Sequence, residues 1–336
     1  MSEGATAISC LESYFGAVPA PRAPNATRRL GDLIVMMIAA SLCGASNATE
    51  FALFAQERKQ ALSRLIDYDA APSHDTFSRL LRLLDPEAFG RAFAAFAAAF
   101  ARASQETPEV VSLDGKALRR AYEKGLAASP PLTVSAFAAE TRLCLAAVSP
   151  SDGENEVEAA LKVIELIDLT GRLVTADALH CHTRMAPAIT QRGGDYLLAL
   201  KGNRRHWLRR ANLQLADATP SIAERTETSH GRAAGRDRDG GRAADARPPG
   251  FHPHHQPTRS GQAVDAPGLH WMLEVHFDED LSRARKDNAP ANTALLNRLA
   301  RNILQAADAA KVPISHRIKK CSWNDDYLIN AITHMR

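Results

Sequence analysis

The feature that most limits the possible folds of this 336-residue chain is the order of its secondary-structure patterns after Pro108. Before that point, residues 9–104 carry apolar positions at helical spacing, which predicts an all-α region of four or five helices. After it, short apolar runs alternate with helical segments. The predicted strands are, in chain order, EVVSLDG, LTVSAFAAE, RLCLAAVSP, LVTADAL and DYLLALKGN. The predicted helices among them are Glu156 to Asp168, HTRMAPAITQRG and HWLRRANLQLAD.

Three consecutive strands, followed by two strands joined through helices, predict a mixed sheet with helices on both faces. This is the ribonuclease-H-like arrangement, in which the first and fourth strands lie side by side. We therefore predict an α/β fold with a ribonuclease-H-like core, an all-α N-terminal domain before it and C-terminal helices after it. The predicted boundaries are residues 9–104 for the N-terminal domain, 108–216 for the core, 217–268 for a linker and 269–336 for the C-terminal helices.

Two aspartates stand at matching places in this topology. Asp114 is expected to end the first strand and Asp177 the fourth, so the two carboxylates should be neighbours at one sheet edge. Two close carboxylates repel each other, and a divalent cation relieves that repulsion. Oxygen ligands favour Mg²⁺ or Mn²⁺. An aspartate before a glycine is more often only a turn residue, so it is the pairing of the two positions that indicates a metal site.

Composition narrows the function further. The formal net charge of +3 is too small to indicate a nucleic-acid partner by itself. The five cysteines are dispersed, as in reduced cytosolic proteins, and the polar N-terminus does not resemble a secretory signal. The most apolar window, Leu33 to Cys43, is too short to span a bilayer. We therefore expect a cytoplasmic protein without a membrane partner. We find no P-loop or dinucleotide fingerprint, so no nucleotide cofactor is expected.

Basic residues follow the predicted strand ends and are candidates for contact with DNA phosphates. Four of them are expected near the edge that carries the aspartates: Lys116, Arg119, Arg120 and Lys201. A further basic run, from Arg283 to Asn288, is interpreted as a contact to the DNA backbone or as a solvated helix face. Cys181, between His180 and His182, is interpreted as part of a loop rather than as a nucleophile.

Several stretches, in order along the chain, resemble DDE transposases of bacterial insertion sequences, specifically the H-repeat-associated group. The resemblance covers roughly residues 10–232 and 269–336. The stretches that carry it are PSHDTFSRLLRLLDPEAF, SLDGKALR, VSAFAAETRLCLA, NEVEAALKVIELIDLTGRLVTADALHCH, GGDYLLALKGN and LHWMLEVHFDEDLSRARKDNAPANTALLNRLARNIL.

The resemblance implies an enzyme that cleaves and joins DNA strands at the terminal inverted repeats of an element. It implies that Asp114 and Asp177 are the first two catalytic acids and that they bind Mg²⁺ or Mn²⁺. Lys201 and Asn203 match the LKGN signature of the group. The resemblance further implies a homo-oligomer in the synaptic complex, acting at the bacterial nucleoid, with Lys116, Lys201, Asn203, Arg283 and Arg285 as candidate DNA contacts.

The third acid of the family pattern is missing. The family has a glutamate shortly before LHW, and its position here is occupied by Ala266. The surrounding segment, residues 233–268, contains no Leu, Ile or Met, which predicts disorder and suggests a deletion or a frameshift. Glu274, Glu279 and Asp265 are weak substitutes.

Three functions stay open at this point. The first is a metal-dependent transposase impaired by the loss of its third acid. The second is a non-catalytic DNA-binding transposase remnant. The third is another ribonuclease-H-like nuclease, which the helical N-terminal region and the C-terminal motifs make the weakest of the three.

Overall fold

The structure is a computed structural model, and it describes most of the chain outside residues 217–266. The described residues are 11, 13–21, 28–103, 110–121, 130–202, 205–216, 267–307 and 312–333. Of the predicted linker over residues 217–268, residues 217–266 therefore lie outside the described residues, as do Asn203, Asp265 and Ala266, whereas residues 267–268 belong to a helix.

The N-terminal region is helical, as predicted. Its helices are α1 (Leu30–Leu42), α2 (Ala48–Glu57), α3 (Lys59–Leu62), α4 (His74–Leu83) and α5 (Pro86–Ala103). Side chains fix two of the helix starts, since Asn47 accepts hydrogen bonds from amides in the first turn of α2 and Ser73 does so at α4. Helix α1 is buried over almost its whole length, which makes it a core helix rather than a surface helix.

A five-stranded mixed sheet follows the helical region. Its elements are β1 (Val110–Ala117), β2 (Leu132–Ala138), β3 (Cys144–Val148), α6 (Glu156–Glu165), β4 (Leu173–Ala176), α7 (Met185–Gln191), β5 (Asp195–Leu198) and α8 (Arg205–Ala216). The strand order is β3-β2-β1-β4-β5. The first three strands pair antiparallel, whereas β4 runs parallel to β1 and to β5. The ribonuclease-H-like prediction is therefore confirmed, including the adjacency of the first and fourth strands.

One detail of that prediction is wrong, because Asp114 does not end β1. The strand continues to Ala117, since residues 114–117 keep their antiparallel pairing with β2. Only the parallel pairing with β4 stops earlier, at Leu113 opposite Ala176. Asp114 thus lies where β1 and β4 separate, while β2 still pairs with β1 on its other side.

The C-terminal segment is helical, and it packs against both other parts of the molecule. It comprises α9 (Pro267–Phe277), a 3₁₀ turn (Glu279–Leu281), α10 (Ala289–Ala306), α11 (Ile314–Trp323) and α12 (Asp325–Thr333). Helix α10 contacts α1, α4 and α5 as well as β2 and β3. Its apolar side chains share one hydrophobic cluster with the N-terminal helices and with one face of the sheet. Helices α6 and α7 cover the other face in a second cluster.

Asn302 attaches α10 to the edge strand β3. Its side-chain amide donates to the carbonyl of Cys144 at 2.7 Å, and its Oδ1 accepts from the amide of Cys144 at 2.9 Å. The Asn302→Leu variant would leave both buried backbone groups without partners. We expect the free energy of unfolding to fall by about 2–4 kcal/mol, as measured by urea denaturation. Gln60→Leu, a matched change at an exposed position, should shift it by less than about 0.5 kcal/mol.

Candidate active site

Asp114 and Asp177 lie side by side at the edge of the sheet, as predicted. Each is the first residue after the last β1–β4 pair, which joins Leu113 and Ala176. Asp114 is half-buried, and its Oδ1 accepts a hydrogen bond from the amide of Gly115 at 2.8 Å. Burial raises the pKa of Asp114, and the nearby charge of Asp177 raises it further, against the effect of the Gly115 hydrogen bond. The site therefore favours a cation beside Asp114 whenever this carboxylate is ionised.

The turn after β4 holds Asp177 more firmly. Its Oδ1 accepts hydrogen bonds from the amide of Leu179 at 2.9 Å and from Nδ1 of His180 at 3.0 Å. Burial acts to raise the pKa of Asp177, but the hydrogen bonds from the His180 ring and the backbone amides outweigh it, so the pKa lies below its usual value. Asp177 is therefore ionised at neutral pH, and its orientation is fixed by the turn.

His180 is a site residue that the sequence interpretation missed. Its side chain is 0% exposed and lies between two carboxylates. Its Nδ1 contacts Asp177, and its Nε2 lies 3.5 Å from Oε1 of Glu156 without forming a hydrogen bond. The available signal was the spacing of three residues from Asp177, which lets a turn bring the ring back onto the carboxylate.

Glu156 is the second residue that was missed, because the sequence shows it only as the first residue of a helix. It lies in the first turn of α6 and reaches the backbone of β1 beside Asp114. A Cβ at Gly115 would stand 2.1 Å from Oε1 of Glu156, so only glycine leaves room for this carboxylate. Burial raises the pKa of Glu156, and although His180 opposes the shift, the charges of Asp177 and Asp114 add to it.

A residue of helix α9 also contacts Asp114. Nδ1 of His270 lies 3.4 Å from Oδ2 of Asp114. Burial, followed by the charges of Arg298 and Lys116, lowers the pKa of His270 to about 4. The ring is therefore neutral at pH 7, and it does not compensate the charge of Asp114.

Lys116 is placed differently from what its predicted role as a DNA contact requires. Its side chain is only 5% exposed, and its Nζ donates to Oε1 of Glu274 at 2.7 Å and to Oδ1 of Asp280 at 3.1 Å. These two carboxylates already satisfy its charge, which argues against contact with phosphate. The hydrogen bond from Lys116 also lowers the pKa of Glu274. Glu274 is therefore engaged in an ion pair and is not free to act as a substitute third acid.

Glu279 is also engaged elsewhere. It is 1% exposed, and its Oε1 accepts from Nη1 of Arg298 at 2.7 Å. Arg298 is equally buried and also donates through Nε to Oγ of Ser135 at 2.8 Å. Since Ser135 pairs with Asp114 across β1 and β2, this ion pair supports the sheet behind the site. Arg298 is thus the cation that Glu279 binds.

The remaining candidates lie at the surface. Lys201 is exposed just beyond β5, at the same sheet edge as Asp177. Arg283 and Arg285 are exposed in the loop between the 3₁₀ turn and α10, rather than on a helix face. Nε of Arg285 donates to the carbonyl of Arg120 at 3.0 Å, which places this loop against the end of β1.

The pair of aspartates fits a hard divalent cation in the chemistry of its donors, since Mg²⁺ and Mn²⁺ prefer carboxylate oxygens. The carboxylate of Glu156 fills the space above Gly115, and the buried Nε2 of His180 beside it makes no hydrogen bond. No group of three or more His, Cys, Asp or Glu side chains among the described residues is arranged to hold a metal ion.

Among the described residues, no helix is long and apolar enough to cross a membrane.

Comparison with known families identifies the class of protein to which this fold and acidic pair belong. Residues 107–247 match the family described as the transposase DDE domain, and residues 12–97 match the domain described as DDE_Tnp_1-associated. The chain belongs to the family of DDE-domain transposases. This confirms the resemblance inferred from the sequence motifs.

The chain is also similar to individual proteins, of which two are named as candidate transposases. An uncharacterized protein from the region 3′ of dhlA in Xanthobacter autotrophicus is 35% identical over 226 residues, which cover 65% of this chain and 76% of the relative. A candidate transposase of Escherichia coli O157:H7, YncI, is 24% identical and covers 96% of this chain and 94% of the relative. The H repeat-associated candidate transposase YhhI of Escherichia coli K12 is 28% identical over 52% of this chain and 46% of the relative.

Proposed function

We propose that this chain cleaves and joins DNA strands at the terminal inverted repeats of an insertion sequence, in a reaction that depends on Mg²⁺ or Mn²⁺. The observation that carries the proposal is the position of Asp114 and Asp177, which stand next to each other where β1 and β4 separate. Their carboxylates would hold the metal. Divalent ions held there would supply activation of a water or a 3′-hydroxyl and stabilisation of the leaving oxygen in an in-line phosphoryl displacement.

The protein residues around this pair have separate roles in the proposal. The turn after β4 orients Asp177 through the ring and amide of His180. Lys201, Arg283 and Arg285 are exposed and would contact phosphates. As a transposase at two element ends, the chain would act as a homo-oligomer, in the cytoplasm and at the nucleoid.

We further propose that cleavage is slower than in relatives that carry the family's third acid. Ala266 occupies that position in the sequence. Glu274 and Glu279, the two described substitutes, are bound to Lys116 and Arg298 respectively. These ion pairs also favour a second candidate function, a non-catalytic remnant that binds element ends without cutting them.

A single assay separates these functions. The full chain is incubated with a supercoiled plasmid that carries its own gene with the native flanks, in the presence of Mg²⁺, Mn²⁺ or EDTA. A transposase nicks the plasmid at the element ends in the presence of either metal and does not nick it in EDTA. Binding to the ends in a mobility-shift assay without any nicking would instead support the remnant. Nicks at positions unrelated to the flanks would contradict both and favour a general nuclease.

A further inference from the structure

The acidic edge of the sheet contains one carboxylate that has no role in the proposal above. We infer that Glu156 is a third carboxylate of the divalent-metal site and takes the place of the glutamate that is absent at position 266. This inference rests on the proposed metal-dependent function. It predicts a metal site formed by β1, β4 and the start of α6, rather than one completed from α9.

The first support is how firmly the backbone of Glu156 is placed. A capping box holds the start of α6: Oδ1 of Asn155 accepts from the amides of Val157 at 2.9 Å and Glu158 at 3.2 Å. Oε2 of Glu158 accepts in return from the amide of Asn155 at 2.8 Å. Glu156 lies inside this fixed turn, so the direction in which its side chain leaves the helix is set by the backbone.

The second support is the absence of a side chain at Gly115. Glycine in a strand interior weakens the strand, so its presence there indicates a close approach. The group that approaches is the carboxylate of Glu156, whose Oε1, Cδ and Cγ would stand 2.1, 2.7 and 3.3 Å from a Cβ at this position. Because Gly115 directly follows Asp114, the carboxylate of Glu156 lies against the β1 backbone one residue from Asp114.

The third support is His180, a fully buried side chain with an unpartnered ring nitrogen directed at Glu156. Its Nε2 lies 3.5 Å from Oε1 of Glu156 but makes no hydrogen bond with any described residue. The carboxylate is therefore near the ring without being fixed by it. Its opposite nitrogen, Nδ1, holds Asp177 at 3.0 Å, which is how buried imidazoles commonly orient carboxylate ligands.

The balance of charge supports the same assignment. The charges of Asp177 and Asp114 add to the raised pKa of Glu156, and the charge of Asp177 adds to that of Asp114. The neighbouring cations Lys116 and Arg298 are paired with other acids. Three carboxylates in partly buried surroundings are costly to ionise together without a compensating cation. A divalent ion would supply the missing charge once Glu156 changes rotamer toward the two aspartates.

The test measures Mn²⁺ binding to the full chain by electron paramagnetic resonance, with Mg²⁺ as competitor. We expect Glu156→Gln to weaken Mn²⁺ binding about tenfold or more and Asp114→Asn to weaken it at least as much. Glu165→Gln removes the same charge from the exposed end of the same helix, and it should leave binding within about twofold of wild type. Circular dichroism checks that each variant is folded.

Gly115→Ala provides an independent variant, because it keeps the charge of Glu156 but displaces its carboxylate. It should also weaken Mn²⁺ binding about tenfold. Wild-type affinity in both Glu156→Gln and Gly115→Ala, with affinity lost in Asp114→Asn, would overturn the role of Glu156 and leave the aspartate pair standing. Wild-type affinity in Asp114→Asn, or no Mn²⁺ binding by the wild type, would overturn the proposed function together with this inference.

Discussion

The Asp114→Asn variant should lose metal-dependent strand cleavage by a factor on the order of 10³, and Asp177→Asn should do the same. Asparagine keeps the size of the side chain but removes the negative charge that binds the cation at the edge of β1 and β4. The measurement is the rate of plasmid nicking at the element ends in Mg²⁺, with DNA binding followed in parallel by mobility shift. We expect end binding to stay within about threefold of wild type, because phosphate contacts come mainly from basic residues.

Asp152→Asn is the matched control for this experiment. Asp152 is exposed in the turn before α6, and the substitution removes one negative charge in the same way. It should leave the nicking rate within about twofold of wild type. Cleavage by Asp114→Asn at the wild-type rate would show that the nicking activity comes from another site or from a contaminant.

The second large effect concerns stability. Glu279→Gln should lower the free energy of unfolding by about 3–5 kcal/mol, because it leaves the guanidinium of Arg298 buried without its counter-charge. Urea denaturation followed by circular dichroism measures this change. The double variant Glu279→Gln with Arg298→Met should recover much of the loss, since removal of both charges also removes the cost of burying them.

The matched control is an ion pair at the surface. Arg64 and Asp326 lie 2.6 Å apart, but Asp326 is 76% exposed, so solvent screens the attraction. Asp326→Asn should therefore change the free energy of unfolding by less than about 0.5 kcal/mol. Equal losses in Glu279→Gln and Asp326→Asn would contradict the view that burial gives the Glu279 pair its importance.

The order of strands and helices was predictable because it depends on local patterns. Apolar runs of strand length, separated by helical periods, were enough to place β1 next to β4 and so to bring Asp114 and Asp177 together. The same reasoning misjudged the end of β1. A local pattern shows where a polar residue follows an apolar run, but it does not show that β2 continues to pair with the strand beyond that residue.

The surroundings of the aspartates were not predictable in the same way. In the sequence, Lys116 stands near the predicted end of a strand and suggests a cation free to bind phosphate. In the structure it is paired with Glu274, which is 158 positions away in the chain. In the sequence, Glu156 resembles any acidic residue at a helix start, where a negative charge interacts favourably with the helix dipole. Its proximity to Gly115 depends on how α6 packs against the sheet. Tertiary contacts of this kind decide which carboxylates are free to bind metal and which are already paired.

The most direct measurement of the central claim is a crystal structure of the full chain soaked in Mn²⁺, with the metal located by its anomalous scattering. We predict an anomalous peak between Asp114 and Asp177, with carboxylate oxygens of both residues at about 2.1 Å. A second soak, with the Asp177→Asn variant, should lose this peak. Strong Mn²⁺ peaks elsewhere on the molecule, with none between the two aspartates in well-ordered wild-type crystals, would contradict the account.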